Sequence, residues 1–288
     1  MDLLWLRRQF VIAIARETAL RERLFLKGGN ALGLIYKIGE RTSQDIDYSL
    51  EGDLADAQSF GEALRAAVTD HMDSVGYVAF DWHFEARPSE LQPGQDPLWG
   101  GYQATFKVLD VETHQSLRGN PAKLRTQAIR VAAGGQSPQV FKIDLSKHEF
   151  CGDVLEFELE GVTVRVYSLA LIALEKLRAL CQQLEAYGLT KRTPRPRDVY
   201  DVHAILTDGG VDLTNQDNRA LMKEVFAAKG VHPRLLLSLQ HEREFHRAGW
   251  PAVLDTVPAD RNQSFDEYFD FTLRLIARLE ALGVVNAP

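Results

Sequence analysis

The chain has 288 residues, of which 45% are hydrophobic and 25% are charged, so it is long enough for two modest folded domains. Its net charge of −7 argues against a protein that coats nucleic acid non-specifically. Two cysteines, Cys151 and Cys181, are too few for a disulfide framework or a zinc-ligand set, and they fit a reducing cytoplasm.

The first half of the chain mixes helical and extended patterns. An amphipathic helix is predicted over residues 2–21, and a short buried strand over residues 24–26 runs into a glycine turn. Gly39 is well placed to end the helix that follows this turn. The remaining predicted elements are a helix at 31–37, a strand at 44–50, a helix at 54–75, strands at 77–86, 102–111 and 139–146, and a hairpin at 157–166.

The second half reads as helix throughout. Ser168 begins one helix, further helices are predicted at 197–207 and 219–229, and Ser264 with Glu267 forms a capping-box pattern before a last helix. We therefore expect an α/β (α+β) domain over residues 1–166, followed by a C-terminal helical domain over residues 167–288.

The sequence Lys27-Gly28-Gly29-Asn30 lies between a predicted strand and a predicted helix. Glycines have no Cβ, so the backbone can turn tightly there and approach a ligand closely. The helix that follows begins with free N–H groups and a partial positive charge, which suit a phosphate. The same pattern is also typical of a plain strand-to-helix connection, and these residues alone leave both interpretations open.

Asp45 and Asp47 follow in a stretch whose alternation predicts a strand. Side chains repeat every second residue along a strand, so the two carboxylates share one face while Ile46 and Tyr48 point to the core. Carboxylates ~7 Å apart can converge on a pair of Mg²⁺ ions that bridge the phosphates of a nucleotide. The competing interpretation is a solvated strand face with two acids.

A third acid, Asp144, lies in a later predicted strand, where Phe141, Ile143 and Leu145 face the core and Asp144 faces away. If this strand pairs with the strand predicted over residues 44–50, Asp144 joins the other two acids and binds the ion that activates the attacking hydroxyl. Asp144 could also accept the proton of that hydroxyl. Three other acids compete for this place: Asp81, Glu85 and Asp110.

Lys176 falls among the apolar residues of the helix that begins after Ser168. A lysine on an apolar side needs an anionic partner, because unpaired burial is costly, and Asp198 in the next helix can provide one. Two alternatives stay open. Lys176 can extend to the surface or form a purely structural ion pair, and Asp198 can be an ordinary first-turn acid of its helix.

Residues 26–32 (LKGGNAL) and 41–47 (RTSQDID) closely resemble the AbiEii family of nucleotidyltransferase toxins, to which the mycobacterial MenT toxins also belong. The resemblance continues in the helical half with residues 168–180 and 197–201 (RDVYD), so it spans both halves in order. It implies a polymerase-β-like nucleotidyltransferase domain with a mixed sheet, and a helical domain that closes the active-site cleft.

The resemblance also implies an activity and its partners. A nucleoside monophosphate would be transferred from an NTP, with Mg²⁺, to an RNA acceptor, and the 3′ end of tRNA is the leading candidate. The protein would act as the toxin of a type IV-like, abortive-infection system. A separate antitoxin, expected to be a winged-helix protein, would be its partner.

Residue reasoning and resemblance together define the expected site. Lys176 would neutralise the triphosphate and the leaving pyrophosphate, and Asp198 would orient Lys176 or the nucleotide. Asn30 stands where the superfamily usually has a serine, so we expect an altered phosphate grip rather than lost activity. The expected catalytic residues are Asp45, Asp47, Asp144, Lys176 and Asp198. The first three of these bind metal, and the nucleotide-binding residues are Lys27, Gly28, Gly29, Asn30, Ser43 and Lys176.

Two rival functions use the same residues. The site could modify a small molecule such as an antibiotic, or it could be a decayed NTP-binding interaction module. Two basic groups are candidates for steering an RNA backbone. One contains Arg118, Lys123, Arg125 and Arg130, and the other contains Lys191, Arg192, Arg195 and Arg197.

Two further sequence features do not support a membrane helix or a zinc site. The most apolar run, Tyr167 to Leu174, is far shorter than the ~20 residues of a membrane helix, and we expect no signal peptide and a cytoplasmic location. His241 and His246 superficially resemble a zinc-protease helix. Their spacing of five places them on different helix faces, so a solvated helix is predicted instead.

Overall fold

The computed structural model describes residues 2–39, 43–91, 93–96, 98–132, 137–189, 192–257 and 263–285. The strands in this part of the chain are β1 Phe25–Lys27, β2 Ile46–Ser49, β3 Tyr77–Arg87, β4 Gly101–Asp110, β5 Phe141–Ser146, β6 Val154–Leu159 and β7 Val162–Tyr167. They form one seven-stranded sheet in the order β3-β4-β5-β2-β1-β7-β6. β1 pairs antiparallel with β2 and parallel with β7, so the sheet is mixed and the predicted mixed α/β fold is confirmed.

The helices surround this sheet. A π-helix covers Ala31–Tyr36, and a 3-10 helix covers Pro233–Glu242. The α-helices are α1 Leu3–Arg16, α2 Thr18–Arg21, α3 Gly28–Asn30, α4 Ala57–Ser74, α5 Val111–Ser116, α6 Pro121–Gln127, α7 Leu169–Cys181, α8 Pro196–Thr207, α9 Gln216–Ala227, α10 Arg243–Arg247, α11 Pro251–Leu254 and α12 Phe265–Ala281.

The two faces of the sheet differ in chemistry, as the alternation of the strands predicts. One face is apolar and is covered by α1 and α4. On that side the Phe10 ring lies 5.0 Å from the Phe106 ring and 5.2 Å from the Phe141 ring. The other face carries Asp47 and Asp144 on neighbouring strands in direct register. Polar groups are therefore concentrated on one side of the central strands.

α7 is buried on nearly all sides. It packs against α8, α9 and the 3-10 helix, while Glu175 reaches Lys27 at the end of β1. The Ser168 hydroxyl accepts a hydrogen bond from the Leu171 N–H and caps the helix, as predicted. Because α7 lies between the polar sheet face and other helices, even its charged residues Lys176 and Arg178 are buried.

Most predicted elements are confirmed within a few residues, including the capping box of Ser264 and Glu267. Asp45 precedes β2 instead of lying inside a strand. The two short helices α5 and α6 were not anticipated. They are explained by local capping, since the Asp110 and Asn120 side chains accept hydrogen bonds from the N–H groups of the first turns.

The strands end at Tyr167, and the described chain beyond that residue contains helices and their connections. The division into two domains at residue 166 stays a proposal. No helix in the described ranges combines the length and apolarity needed to cross a bilayer.

The prediction of a solvated helix over residues 241–246 is wrong for His246, which is fully buried while His241 is exposed. The chain changes there from a 3-10 helix to α10, so helical periodicity does not extend through the segment. His246 Nδ1 accepts a hydrogen bond from the Arg195 N–H at 3.0 Å. Burial lowers the pKa of His246 to about 4.

His246 predicts a pH dependence of stability. Because the folded-state pKa lies below the ordinary 6.5, the unfolded chain binds a proton that the folded chain rejects between these values. Acidification from pH 7 to 4.5 should therefore remove about 2 kcal/mol of stability through this residue. Urea unfolding of the wild type and of His246→Gln across this range measures the difference, which should shrink on acidification. His241→Gln is the exposed control, and parallel curves for wild type and His246→Gln would contradict the assignment.

Candidate active site

A cleft of about 1060 Å³ lies between the polar sheet face and the helices that follow β7. A space of this size accommodates a nucleotide and part of a second substrate. Nine of the ten residues predicted for the site line this cleft. They are Lys27, Gly28, Gly29, Ser43, Asp45, Asp47, Asp144, Lys176 and Asp198. The residues predicted for the site, apart from Asn30, therefore share one cleft.

Asp47 and Asp144 are aligned across the parallel pair of β2 and β5. Gln103 of β4 donates a hydrogen bond from Nε2 to Asp144 Oδ1 at 2.7 Å and fixes this carboxyl group. Burial raises the pKa of Asp47 to about 7, and the negative charges of Asp144 and Asp45 also raise it. The positive charges of Lys27 and Lys176 lower this pKa and offset part of the rise. The three carboxylates thus repel one another inside the cleft.

Gly28 sits directly against this acidic group. Its φ of +66° is a left-handed conformation, which glycine adopts without strain. A Cβ at this position would lie 2.5 Å from Asp47 Oδ2. Only a glycine lets the turn after β1 approach the Asp47 carboxylate so closely.

Asn30 has a different position from the one predicted. It is 3% exposed, does not line the cleft, and donates a hydrogen bond from Nδ2 to the Asp45 carbonyl at 2.5 Å. The Ser43 hydroxyl donates to the same carbonyl at 3.3 Å. These two side chains hold the backbone that presents Asp45, so Asn30 positions an acid from behind the site.

Lys176 belongs to a cluster of four charges, of which Lys176, Asp198 and Asp201 are buried and Arg195 is exposed. Its Nζ lies 3.0 Å from Asp198 Oδ1 and 2.7 Å from Asp201 Oδ2. Arg195 Nη1 lies 2.7 Å from Asp198 Oδ2. Burial works against ionisation of Asp198, but Lys176 and Arg195 outweigh it and hold the pKa of Asp198 well below its usual range. The ion pair predicted between Lys176 and Asp198 is confirmed.

A second buried cluster lies beside the first and joins the sheet to the helices. Glu149, which follows β5, is 2.8 Å from Arg178, 3.6 Å from Lys27 and 3.5 Å from Lys229. Lys27 also pairs with Glu175. Burial opposes ionisation of Glu149, but its three cationic neighbours lower its pKa to about 2. Nearly every charge in this cluster has an opposite partner within the protein.

The aspartates of the sheet differ from these paired groups. No three His, Cys, Asp or Glu side chains in the described ranges are close enough to form a preassembled metal-ligand group. Mg²⁺ is usually held by one or two carboxylates together with substrate phosphates, so a nucleotide can complete a site that these acids begin. Their all-oxygen chemistry fits a hard divalent cation.

Comparison with known proteins agrees with this geometry. The family model described as "Nucleotidyl transferase AbiEii toxin, Type IV TA system" matches residues 12–271. The chain belongs to the AbiEii family. This AbiEii protein is therefore a nucleotidyltransferase and a toxin of the AbiEii type.

A solved structure shares its fold. A candidate nucleotidyltransferase from H. pylori has a TM-score of 0.51 at 15% sequence identity, over 96% of this chain and 95% of that chain. JHP933 from Helicobacter pylori has a TM-score of 0.49 at 15% identity, over 96% and 89% of the two chains. MenT4, a nucleotidyltransferase toxin from Mycobacterium tuberculosis, has a TM-score of 0.43 at 14% identity, over 96% and 83%. The search of curated proteins gives no match.

The structure distinguishes among the acids that competed for the third place. Asp144 lines the cleft of the AbiEii protein, whereas Asp110 caps α5. Asp81 is 3.1 Å from Lys107 and 3.0 Å from Arg125, and Glu85 lines a separate pocket near α4. Of the four candidates, Asp144 alone is placed to act with Asp45 and Asp47.

The two basic groups also differ. Arg118, Lys123, Arg125 and Arg130 do not line the cleft, whereas Arg195 and Arg197 of the second group do. Arg192 pairs with Glu242 and stacks on Phe245. Lys191 lies outside the described residues.

Sequence reasoning missed Glu149, Glu175, Arg178 and Lys229. A signal was available for α7, because Glu175, Lys176 and Arg178 place charges around a helix that is otherwise strongly apolar. Such a helix has to meet opposite charges on more than one side. No local pattern marks Glu149 or Lys229, whose contact joins residues 80 positions apart.

The Lys176 cluster predicts a large effect on stability. Asp201 is 2% exposed, and Asp201→Asn leaves the cluster with an excess positive charge away from water. The free energy of unfolding should fall by about 3 kcal/mol, as when one partner of a buried ion pair is removed. Urea unfolding at neutral pH measures this change.

Two further variants test the cause of that effect. Lys176→Met combined with Asp201→Asn removes both members of the pair and should recover part of the loss. Asp208→Asn makes the same chemical change at an exposed position after α8 and should alter stability by less than about 0.5 kcal/mol. Equal effects at Asp201 and Asp208 would show that the buried cluster is not held by charge pairing.

Proposed function

We propose that this AbiEii protein transfers a nucleoside monophosphate from an NTP to a hydroxyl at the 3′ end of an RNA, with tRNA as the leading acceptor. The observation that carries the proposal is the meeting of a glycine turn, three aspartates and a buried lysine in one cleft. Phosphoryl-type transfer depends chiefly on positioning and on neutralising charge, and these residues provide both.

The donor triphosphate is assigned to the glycine turn. Gly28 and Gly29 begin a helical turn that continues into the helix over Ala31–Tyr36, and both glycines line the cleft. Backbone N–H groups at such a start suit phosphate oxygens. The close approach of Gly28 to Asp47 supports the proposal that the phosphates and the cation bind side by side.

Asp45, Asp47 and Asp144 are the proposed ligands for Mg²⁺. Burial raises the pKa of Asp47, and the charges of Asp144 and Asp45 raise it further, so a divalent cation that offsets this negative charge is favoured here. When bound, Mg²⁺ would neutralise phosphate charge and favour ionisation of the acceptor hydroxyl. Gln103 would keep one Asp144 oxygen in a fixed direction during this reaction.

In the proposed reaction, one bond forms, one bond breaks and one proton moves to a side chain of the cleft. The acceptor oxygen forms a bond to the α-phosphorus, the bond between that phosphorus and the pyrophosphate oxygen breaks, and Asp144 takes the hydroxyl proton. Lys176 offers positive charge to the departing pyrophosphate. Asp198 and Asp201 hold the ammonium group of Lys176 in place, so we assign them positioning roles.

The family implies an antitoxin partner and an NTP substrate. We further propose that the antitoxin is a separate winged-helix protein and that the reaction takes place in the cytoplasm. The two free, buried cysteines, Cys151 and Cys181, are compatible with a reducing compartment.

Substitution of Asp47 tests the proposal. Asp47→Asn keeps the shape of the side chain but removes its charge, and transfer should fall by about a hundredfold or more. Purified proteins are incubated with each of the four NTPs, labelled at the α-phosphate, together with Mg²⁺ and either total tRNA or an aminoglycoside. Growth after induced expression is followed in parallel.

Asp70→Asn is the matched control, because Asp70 is exposed on α4, on the opposite side of the sheet. This variant should label RNA and arrest growth as the wild type does. Labelling of the aminoglycoside instead of RNA would replace the proposed acceptor with a small molecule. Equal toxicity of the wild type and Asp47→Asn, with no labelling by either, would overturn the enzymatic explanation.

A further inference from the structure

The cleft has a rim formed by Gln95, Asp96 and Leu98–Gly101, which we call the rim segment. Two contacts tie it to the connections that follow α7 and α9. The Tyr187 hydroxyl donates to Asp96 Oδ2 at 2.5 Å, and Lys229 Nζ donates to the Leu98 carbonyl at 2.7 Å. These contacts fix the backbone of the rim segment.

The anchors of the rim segment are themselves buried. Asp96 is 3% exposed and its Oδ1 accepts the Leu98 N–H at 2.8 Å. Lys229 is 5% exposed, pairs with Glu149, and also donates to the Lys147 carbonyl at 2.6 Å. A buried lysine that binds two carbonyls fixes backbone position, because its alternative is an unpaired buried charge.

This rigid support presents an exposed aromatic ring. Trp99 lines the cleft and is 42% exposed, more than any other Phe, Tyr or Trp in the described part of the chain. Its N–H donates to the Asp96 carbonyl at 3.0 Å, so its backbone belongs to the same fixed turn. An exposed indole carried by a fixed backbone is suited to stack on a flat partner.

The order of the strands places Trp99 on the acceptor side of the cleft. The Lys147 N–H donates to the Gly100 carbonyl at 3.1 Å, and Gly101 pairs with Ser146 at the end of β5. β5 carries Asp144, whereas the glycine turn follows β1, with β2 between them. Trp99 therefore lies beyond Asp144 when viewed from the glycine turn.

We propose that Trp99 is the platform on which the terminal base of the acceptor RNA stacks, so that the terminal ribose hydroxyl reaches Asp144. This proposal rests on the proposed function, because it takes the acceptor to be an RNA with an unpaired end. Stacking on tryptophan tolerates any base and suits a single-stranded end. Arg87, whose side chain is 59% exposed and pairs with Glu85, also lines the cleft, and an RNA phosphate would replace this exposed surface partner.

Removal of the ring tests the platform. With an RNA stem-loop that has an unpaired 3′ end, Trp99→Ala should lower kcat/KM for the RNA by about tenfold to a hundredfold, and Trp99→Phe should recover most of it. On the same stem-loop with an abasic 3′ nucleotide, wild type and Trp99→Ala should transfer equally slowly. An undiminished effect of Trp99→Ala on the abasic RNA would overturn the proposal.

Controls separate the platform from other roles of the rim segment. Leu91→Ala removes another exposed apolar side chain from the same connection, outside the cleft lining, and should leave transfer unchanged. The affinity for the NTP, measured by calorimetry in Ca²⁺, should be the same for wild type and Trp99→Ala. A matching loss of NTP affinity would assign Trp99 to the donor base and reject the proposal.

A binding measurement distinguishes failure of this proposal from failure of the proposed function. In Asp47→Asn, which should not turn over, the stem-loop should quench tryptophan fluorescence, and Trp99→Phe should abolish that change. Quenching without transfer by the wild type would retain the platform and reject the proposed reaction. Transfer by the wild type without Trp99-dependent quenching would reject the platform and retain the reaction.

Discussion

The arrangement of the cleft depends on how negative charge is held away from water. Asp47 and Asp144 are aligned on neighbouring strands, and Asp45 lies just before β2, so three carboxylates line one cleft. Several other buried charges around the cleft are paired within the protein. Lys176 pairs with Asp198 and Asp201. The other paired residues that line the cleft are Lys27, Glu149, Glu175, Arg178 and Lys229. The three aspartates lie where the proposed function requires a cation and the nucleotide phosphates to bind.

This constraint explains why the helices after β7 cover the polar side of the sheet. α1 and α4 bury the apolar face, so the opposite face needs a partner that brings its own charges. α7 provides them, since Lys176 and Arg178 are buried in a helix whose other residues are mostly apolar. Lys229 adds a link of a different kind, because it holds the backbone of the rim segment and pairs with Glu149.

The sequence predicted the parts of the site that follow from local periodicity. A glycine turn after a strand, an Asp-x-Asp alternation and an isolated lysine in an apolar helix are each visible within a few residues. The choice of Asp144 over Asp110 needed the strand pairing, which places one acid in the cleft and the other at a helix cap. The role of Glu149 could not be predicted from local sequence for the same reason, since its partners come from distant segments of the chain.

Two errors show where local patterns are insufficient. Asn30 stands at the usual phosphate-contacting position of the superfamily, yet its side chain turns behind the site to hold the Asp45 carbonyl. The residues around His246 have the composition of a solvated segment. The chain changes from a 3-10 helix to α10 there, and this change places the His246 side chain in the core. In both cases the deciding contact is tertiary, with a backbone group that the local sequence does not identify.

The most direct test is a crystal structure with Mn²⁺ and a non-hydrolysable NTP analogue, collected at the manganese absorption edge. The account predicts an anomalous peak about 2 Å from a carboxylate oxygen of Asp47 and of at least one of Asp45 and Asp144. It also predicts the triphosphate against Gly28 and Gly29. A manganese ion away from Asp47, or a triphosphate bound outside the glycine turn, would contradict the central claim.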